Sequence, residues 1–376
     1  MVEEVPTRLT SLNPNMPVVL AFGNPLLDVC LHLKDKEFLN KYGLAEDGEV
    51  ELPYKKIEQM LLHLPPGSEI RTSAGGSAQN SMRILQWLFN NTLKSESSIY
   101  CGGLGKDSRG TILYTSVQSA GVDARYAFHS YLPTGLCIAL ICESSRSLVA
   151  NIGAAGVYSL DDLKKTNLKF DTIKIIYIEG FFITHSFPVA KELVKVVEEN
   201  NIILAINLSG VYIFKDHQAA ICQMVGHANI VFGNAREMEA LAQSLNITYE
   251  SVTDIPFLLN SMKRITVNAS STTNDDWLHH GRIFVMSQGG SAPAITVWGK
   301  GQSVQVQPIK PKAPIVDTTG AGDALVTGFL AGVLAQWKPQ HCLEYGCKVA
   351  SFIVTIHGVT LPPTVPTDLL LYNVNT

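Results

Sequence analysis

The segment from Asp317 to Ala324 reads Asp-Thr-Thr-Gly-Ala-Gly-Asp-Ala and combines residue types that suit chemistry on a phosphate. A strongly apolar helical pattern follows it. Glycines let the backbone approach a ligand, and the amides and positive dipole end of a helix start form an anion site. We therefore expect Gly320, Ala321 and Gly322 to hold a transferring phosphoryl group at this helix start.

Asp323 stands directly after these glycines, in the first turn of the predicted helix. One interpretation is an ordinary helix-start acid, since a carboxylate is favourable there in any helix. The other is a general base that takes the proton from a substrate hydroxyl. A lone Gly-x-Gly-Asp does not separate the two, whereas the whole octapeptide favours the base.

A second glycine motif, Gly-Gly-Ser-Ala-Gln-Asn-Ser at 75–81, opens an apolar helical pattern early in the chain. Together with 317–324, and in the same order, it resembles the two signatures of the PfkB, or ribokinase-like, carbohydrate and nucleoside kinase family. The resemblance implies a ribokinase-like α/β fold and transfer of the γ-phosphate of ATP to a hydroxyl group. It also implies Mg²⁺ as the cofactor and Asp323 as the catalytic base.

Further segments, spread from about residue 17 to Pro363, are similar to the members of this family that phosphorylate adenosine at its 5′-hydroxyl. They are 22–28, 76–81, 133–135, 146–151, 180–182, 207–209, 233–234 with Glu237, and 288–289. The resemblance therefore implies adenosine and ATP as the ligands.

The resemblance assigns the nucleoside side of the site to residues from several parts of the chain. Asp28 would accept hydrogen bonds from the ribose 2′- and 3′-hydroxyls, which suits a carboxylate because it offers two acceptor oxygens. A solvated loop acid is the alternative for Asp28. Phe181 or Phe182 would stack on adenine, and core packing is the alternative for each. The other implied substrate contacts are Asn24, Gly75, Gly76, Ser77, Asn80 and Leu148.

The resemblance assigns the ATP side to other segments. Arg146 would swing over the γ-phosphate, although a solvated arginine at a hairpin tip is an equal alternative. Asn234 and Glu237 match an Asn-x-x-Glu motif that organises Mg²⁺ and phosphate, with Glu237 acting through water. The same pair fits a helix capping box, and both interpretations can hold together. The other implied nucleotide contacts are Gln288, Gly289, Thr318, Gly320 and Gly322.

Two acids depart from the expected pattern near the nucleobase. In the stretch that resembles 47–52, the family's adenosine-specific members commonly carry a Gln and a Leu near the base, whereas this chain reads Asp-Gly-Glu-Val-Glu-Leu with Glu49 and Glu51. A charged Glu51 in an apolar pocket would be costly if unpaired. Either it points to solvent or the base site differs.

Short apolar runs alternate with helical patterns and predict a parallel sheet covered on both faces. The predicted strands are 17–22, 98–101, 173–178, 202–206, 230–232 and 283–286, with a helix over 189–199. The stretch 126–152 instead alternates like antiparallel strands. We expect a large α/β domain over 1–27, 74–125 and 153–376 and a small, discontinuous, β-rich lid over 28–73 and 126–152.

Composition narrows the partners and the compartment. A net charge of −4 lacks the basic footprint of a nucleic-acid binder. The apolar stretch 18–33 contains Asn24, Pro25 and Asp28, so it is no membrane span. Seven irregularly spaced cysteines predict a reducing compartment. We expect a monomeric cytoplasmic protein, with the nucleus as a further compartment, that binds neither nucleic acid nor membrane.

Three alternatives stay open. The chain could be another ribokinase-like nucleoside or sugar kinase, or a catalytically silent member that only binds a nucleotide. A dinucleotide-binding dehydrogenase is disfavoured, because no Gly-x-Gly-x-x-Gly follows the first predicted strand.

Overall fold

The computed structural model describes residues 18–46, 48–64, 70–89, 97–142, 145–265, 277–278 and 282–371, with the exception of the Arg146 side chain. These residues form a large sheet and a small sheet, and helices cover the large sheet on both faces. None of the described helices is both long enough and apolar enough to cross a membrane.

The large sheet has nine strands and is mostly parallel. In spatial order they are β14 (Gln302–Val306), β13 (Ala294–Trp298), β12 (Ile283–Ser287), β11 (Ile230–Asn234), β10 (Ile203–Asn207), β9 (Ile173–Glu179), β1 (Val18–Phe22), β5 (Ser98–Gly105) and β6 (Asp123–His129). All neighbours from β12 to β6 pair in parallel, and β13 and β14 are antiparallel. The predicted fold class is thereby confirmed.

The two faces of this sheet enter separate core clusters. Val19 packs on one side and Leu20 on the other, because successive side chains of a strand point to opposite faces. Both faces are buried, which explains why the strand sequences are continuous apolar runs. The covering helices are α3 (Ser77–Phe89), α4 (Ser108–Ser119), α5 (Leu160–Lys165), α6 (Gly180–His185), α7 (Phe187–Asn200), α8 (Ile213–His227), α9 (Ala235–Ser244), α10 (Ile255–Ser261), α11 (Ala321–Leu334) and α12 (Pro339–Ile353).

The small sheet draws on two separate parts of the chain. Its strands, in spatial order, are β3 (Glu49–Glu51), β8 (Ser145–Asn151), β7 (Gly135–Cys142), β2 (Leu26–Leu33) and β4 (Ile70–Gly75). Helices α1 (Glu37–Tyr42) and α2 (Tyr54–Leu62) contribute to its core, where Ile57 and Met60 are fully buried.

The division between the two sheets differs from the predicted boundaries at three strands. Residues 26–27 of β2 and 74–75 of β4 were expected in the large domain but belong to the small sheet. Residues 126–129 were expected in the small lobe, but they form the second half of β6 in the large sheet. The parallel pairing of β5 and β6 continues without a break as far as Gly105 and His129, which holds this segment on the large sheet.

Two short connections bring the lobes together at one edge. Three residues join β1 of the large sheet to β2 of the small sheet, and Gly76 alone joins β4 to α3. The carboxyl ends of the parallel strands lie at this edge, where open α/β sheets bind their ligands.

Candidate active site

A cavity of about 400 Å³ lies between the two sheets, at the carboxyl ends of the large-sheet strands. Side chains from both lobes line it. It brings together predicted site residues that are far apart in sequence: Asn24, Asp28, Gly76, Ser77, Asn80, Leu148, Phe181, Asn234, Glu237, Gly320, Gly322 and Asp323.

Asp323 lies in the first turn of α11 and is held there by α3. The Ser77 hydroxyl donates to Oδ1 of Asp323 at 2.7 Å. The Asn80 amide donates to Oδ2 at 3.2 Å. The two glycine motifs therefore meet at one carboxylate, although they lie at opposite ends of the chain.

The start of α11 depends on a glycine. Gly320 has a φ of 80°, in the left-handed region that strongly favours glycine. A Cβ added there would come within 2.5 Å of the Val359 side chain. Among the described side chains none caps this helix, and its Ala321 N–H donates to the carbonyl of Thr318 at 3.3 Å. The positive end of the helix favours an anion at this position.

Asp317 braces the loop that leads into α11. Its Oδ1 accepts from the backbone N–H of Thr319 at 2.9 Å and from the Thr319 hydroxyl at 2.6 Å. Its Oδ2 accepts from the backbone N–H of Gly358 at 2.9 Å. These bonds shape the loop from within, so Asp317 is a support for the anion site.

Asp28 enters the cavity from β2 of the small sheet. Gly75 lies beside it on β4, and a Cβ on Gly75 would collide with the Asp28 carboxylate. Gly75 does not line the cavity itself. Its predicted contact with substrate is therefore replaced by a steric role, because only glycine leaves room for Asp28.

The two adjacent phenylalanines have different surroundings. Phe181 lines the cavity and stacks on Tyr212, with ring centroids 5.8 Å apart and planes 24° from parallel. Phe182 is fully buried against Phe22 and Tyr158. Phe182 is thus a core residue, and the predicted substrate contact of this residue is wrong.

Glu49 and Glu51, the two acids that depart from the family pattern, also have different surroundings. Glu49 lines the cavity, whereas Glu51 does not. Glu51 accepts from the Tyr212 hydroxyl at 3.1 Å and lies 3.4 Å from Nε2 of His185. Burial works to raise the pKa of Glu51, but these contacts outweigh it and lower that pKa. Glu51 is paired, which avoids the cost of a lone charge in a pocket.

Asn234 and Glu237 form a capping box at the start of α9. The Asn234 backbone N–H and side-chain amide donate to the two Glu237 oxygens at 2.9 and 2.8 Å. Burial raises the pKa of Glu237 to about 7. Within the described residues, no cluster of three acidic, histidine or cysteine side chains could hold a metal. Asn234 and Glu237 both line the cavity and carry oxygen atoms, the ligand type that Mg²⁺ prefers.

A sequence model of the pfkB family carbohydrate kinases matches residues 41–367. The chain belongs to this family. It is 31% identical over 360 residues to "Adenosine kinase 2" of Arabidopsis thaliana, and the match covers 92% of this chain and 96% of that one.

Solved structures of adenosine kinases share this fold. An Anopheles gambiae adenosine kinase, in complex with P1,P4-di(adenosine-5) tetraphosphate, superposes with a TM-score of 0.77 at 26% identity, over 91% of this chain and 96% of that one. A Schistosoma mansoni adenosine kinase with 2-fluoroadenosine has a TM-score of 0.80 at 23% identity, over 94% of this chain and 98% of that one, and shows the common fold.

Some residues implied by the family resemblance lie outside the cavity lining. Gln288 spans its own loop, where its side-chain amide donates to the carbonyl of Pro293 at 2.7 Å. Gly289, Thr318 and Ala321 are likewise absent from the lining. The backbone of Arg146 pairs with Ile141 in the β7–β8 hairpin, and its side chain lies outside the described part.

Two charged residues near the site were missed from sequence. Arg83 is buried in α3 and donates to the carbonyl oxygens of Ala74 at 3.2 Å and Val359 at 2.8 Å. Glu179 lines the cavity at the end of β9 and is 1% exposed. The available signal for Arg83 was that it is the one charged residue of α3. For Glu179 it was an acid directly after the run 175–178 of β9.

Proposed function

We propose that this PfkB family member transfers the γ-phosphate of ATP to the 5′-hydroxyl of adenosine, giving AMP and ADP. The observation that carries the proposal is the position of Asp323. Its carboxylate lies at a helix start that no described side chain caps, in the same cavity as Asp28 and the Phe181–Tyr212 aromatic pair. The adenosine kinases among its relatives support the choice of substrate.

The proposed substrate pose follows from where acceptors and aromatic rings lie. Asp28 accepts from the ribose 2′- and 3′-hydroxyls, and the adenine ring lies against Phe181. This pose directs the 5′-hydroxyl toward Asp323. The γ-phosphate occupies the amides at the start of α11, where the positive helix end favours negative charge.

Asp323 takes the proton from the 5′-hydroxyl as the new phosphorus–oxygen bond forms. The Ser77 and Asn80 hydrogen bonds leave the carboxylate oriented toward the cavity. Orientation is a large part of the catalysis, because phosphoryl transfer depends chiefly on positioning and electrostatic stabilisation.

The cofactor of the proposed reaction is Mg²⁺, which neutralises charge on the phosphate oxygens when it is bound. Asn234 and Glu237 are the described residues placed to hold it through water. The hydrogen bonds of the capping box hold both side chains in place. Their oxygen atoms can then accept hydrogen bonds from water molecules bound to the ion.

The small sheet acts as the lid in this proposal. Leu148 and Glu49 line the cavity from that sheet, so its approach limits the access of water to the phosphoryl group. Arg146 is proposed to contact the γ-phosphate from the same hairpin when the lid closes.

Residues from both lobes of one chain line the cavity, and we propose a monomer as the working unit. The irregular spacing of the cysteines supports a reducing compartment such as the cytoplasm, and we keep the nucleus as a further proposed location.

The test is an ADP-release assay with adenosine, inosine, guanosine, ribose and fructose, on the wild type and on Asp323→Asn. We expect adenosine to be preferred, and the variant to lose several orders of magnitude in kcat while it still binds adenosine. Preference for a sugar or another nucleoside would replace the proposed substrate. Tight adenosine binding by the wild type without ADP release would identify a silent member.

A further inference from the structure

Glu179 is a buried carboxylate that joins two parts of the site. Its Oε1 accepts from the backbone N–H of Asn24 at 2.5 Å. Its Oε2 accepts from the backbone N–H of Ala78 at 2.6 Å. Asn24 lies in the link from β1 to β2, and Ala78 lies in the first turn of α3. One side chain of the large sheet therefore ties the two connections through which the lobes meet.

Gly23 lies close against this carboxylate. A Cβ added at Gly23 would come within 2.8 Å of the Glu179 carboxyl group. The side chain is only 1% exposed, so a ligand in the cavity cannot reach it freely. Glu179 acts through the residues it binds, and those residues adjoin the ones that hold the substrate and the base.

Both segments tied by Glu179 carry site residues. The link that holds Asn24 continues into Asp28 on β2, which faces the proposed ribose position. The turn that holds Ala78 also carries Ser77 and Asn80, the two donors to Asp323. The relative position of the ribose acceptor and the catalytic carboxylate thus depends on the two Glu179 hydrogen bonds.

We infer that Glu179 is a positioning residue for the proposed phosphoryl transfer, one that aligns the nucleoside-binding link with the α3 turn and does so best as a carboxylate anion. The inference rests on the proposed function. Its chemistry is simple: two N–H donors need two acceptor oxygens, and only the ionised group offers both at full strength.

The protonation of Glu179 changes within an accessible range of pH. Burial raises its pKa to about 8, and the amides of Asn24 and Ala78 limit that rise. The charged groups that face it from neighbouring elements are Asp323 of α11, which raises its pKa further, and His185 of α6, which lowers it.

Two buried tyrosines, Tyr100 of β5 and Tyr177 of β9 itself, also interact with Glu179. Burial is the first cause of the raised pKa of each, and the Glu179 charge adds to it. Both tyrosines stay neutral while Glu179 titrates. The anion therefore becomes the main form only above about pH 8.

The experiment measures kcat and KM for adenosine between pH 6 and 9.5, in the wild type and in Glu179→Gln, Glu179→Asp and Glu192→Gln. Glutamine keeps the shape but turns one acceptor into a donor that faces an amide. Aspartate keeps the charge but is too short to reach both amides. Glu192 is partly exposed on α7 and pairs with Lys195, so its variant is the matched control.

We expect the wild-type kcat/KM to rise as the pH passes about 8. Glu179→Gln should lack this step and should have a kcat/KM about ten- to a hundredfold lower at pH 8.5. Glu192→Gln should match the wild type throughout. Adenosine affinity, measured by calorimetry at pH 7 and 9, should rise with pH in the wild type and stay constant in Glu179→Gln.

Two results would overturn the inference. One is a wild type that phosphorylates adenosine with no change in kcat/KM between pH 7 and 9, which needs no variant and holds even if Glu179→Gln does not fold. The other is a folded Glu179→Gln with the wild-type profile. A wild type that releases no ADP with adenosine contradicts the proposed function itself, so the two failures can be told apart.

Discussion

The Ser77 hydroxyl donates a 2.7 Å hydrogen bond to Asp323, although 246 residues separate the two along the chain. Asn80, one turn further along α3, donates to the other oxygen of the same carboxylate. Helices α3 and α11 are therefore joined at the proposed catalytic base. The two glycine motifs work as one unit, because the α11 motif supplies the carboxylate and the α3 motif supplies the donors that orient it.

Removal of one donor to Asp323 should slow the chemical step more than it weakens binding. We expect Ser77→Ala to lower kcat about tenfold or more, because a hydrogen bond to a charged group contributes roughly 1.5–3 kcal/mol. The KM for adenosine should change little. Steady-state kinetics measure both constants. Ser119→Ala, at an exposed position on α4, is the control variant. An unchanged kcat in Ser77→Ala would show that this bond does not orient the base.

A single methyl group at Gly75 should displace Asp28. We expect Gly75→Ala to raise the KM for adenosine at least tenfold and to destabilise the fold by about 1–3 kcal/mol, the usual cost of forcing an extra group into a packed site. Gly290→Ala is the matched control, since a Cβ there meets open space. Calorimetric adenosine binding and urea denaturation of both variants measure the two effects. Wild-type binding by Gly75→Ala would rule out a ribose contact at Asp28.

Glu49 should select the nucleobase. Its carboxylate lines the cavity, and a Cβ placed on Gly210 would lie 3.2 Å from Glu49 Oε2 and 3.0 Å from the Phe181 ring. The Glu49 carboxylate and the Phe181 ring therefore both lie next to Gly210. A carboxylate can accept from the exocyclic amino group of adenine and repels the 6-oxo group of inosine.

We therefore expect Glu49→Gln to raise the inosine to adenosine ratio of kcat/KM about tenfold, since the glutamine amide can donate to an oxo group. Kinetics with both nucleosides test this. Glu46→Gln, an exposed residue paired with Lys36, is the control and should keep the wild-type ratio. Equal ratios in all three proteins would place the base away from Glu49.

The stability of the ligand-free protein should fall as the pH rises from about 5 to 8. The pKa of Glu179 is about 8 in the fold against 4.5 for an ordinary glutamate. Between these values the folded chain keeps a proton that the unfolded chain has lost, so rising pH favours unfolding by up to about 1.4 kcal/mol per pH unit. Glu237, with a pKa of about 7, acts in the same direction.

Urea denaturation at half-unit steps from pH 5.5 to 8.5 measures this slope. Glu179→Gln has no proton to lose at this position, so its free energy of unfolding should depend less steeply on pH than that of the wild type. Glu192→Gln should keep the full slope. Parallel curves for Glu179→Gln and the wild type would mean that Glu179 is not protonated in the fold near neutral pH.

The sequence by itself determined the family, the sheet and the local motifs. Continuous apolar runs predicted the strands around Ile173, Ile230 and Ile283, because a strand buried on both faces needs no polar alternation. The capping box of Asn234 and Glu237 could also be predicted from the sequence, because its two residues stand only three positions apart.

Only the tertiary structure decided which neighbour of a pair faces the ligand. Phe181 lines the cavity and Phe182 the core, because adjacent side chains leave a helix in different directions. Glu49 lines the cavity while Glu51 pairs with His185, a partner from the other lobe. Composition and spacing carry no information about contacts of this kind.

Glu179 is the clearest example of a residue whose contacts the sequence pattern could not predict. The sequence showed an acid after an apolar strand, but its burial depends on amides that lie 155 and 101 residues away. A buried carboxylate is tolerated only where donors converge on it. That convergence is a property of the folded chain, and it is why the residue that ties the two lobes could not be recognised from its neighbours in sequence.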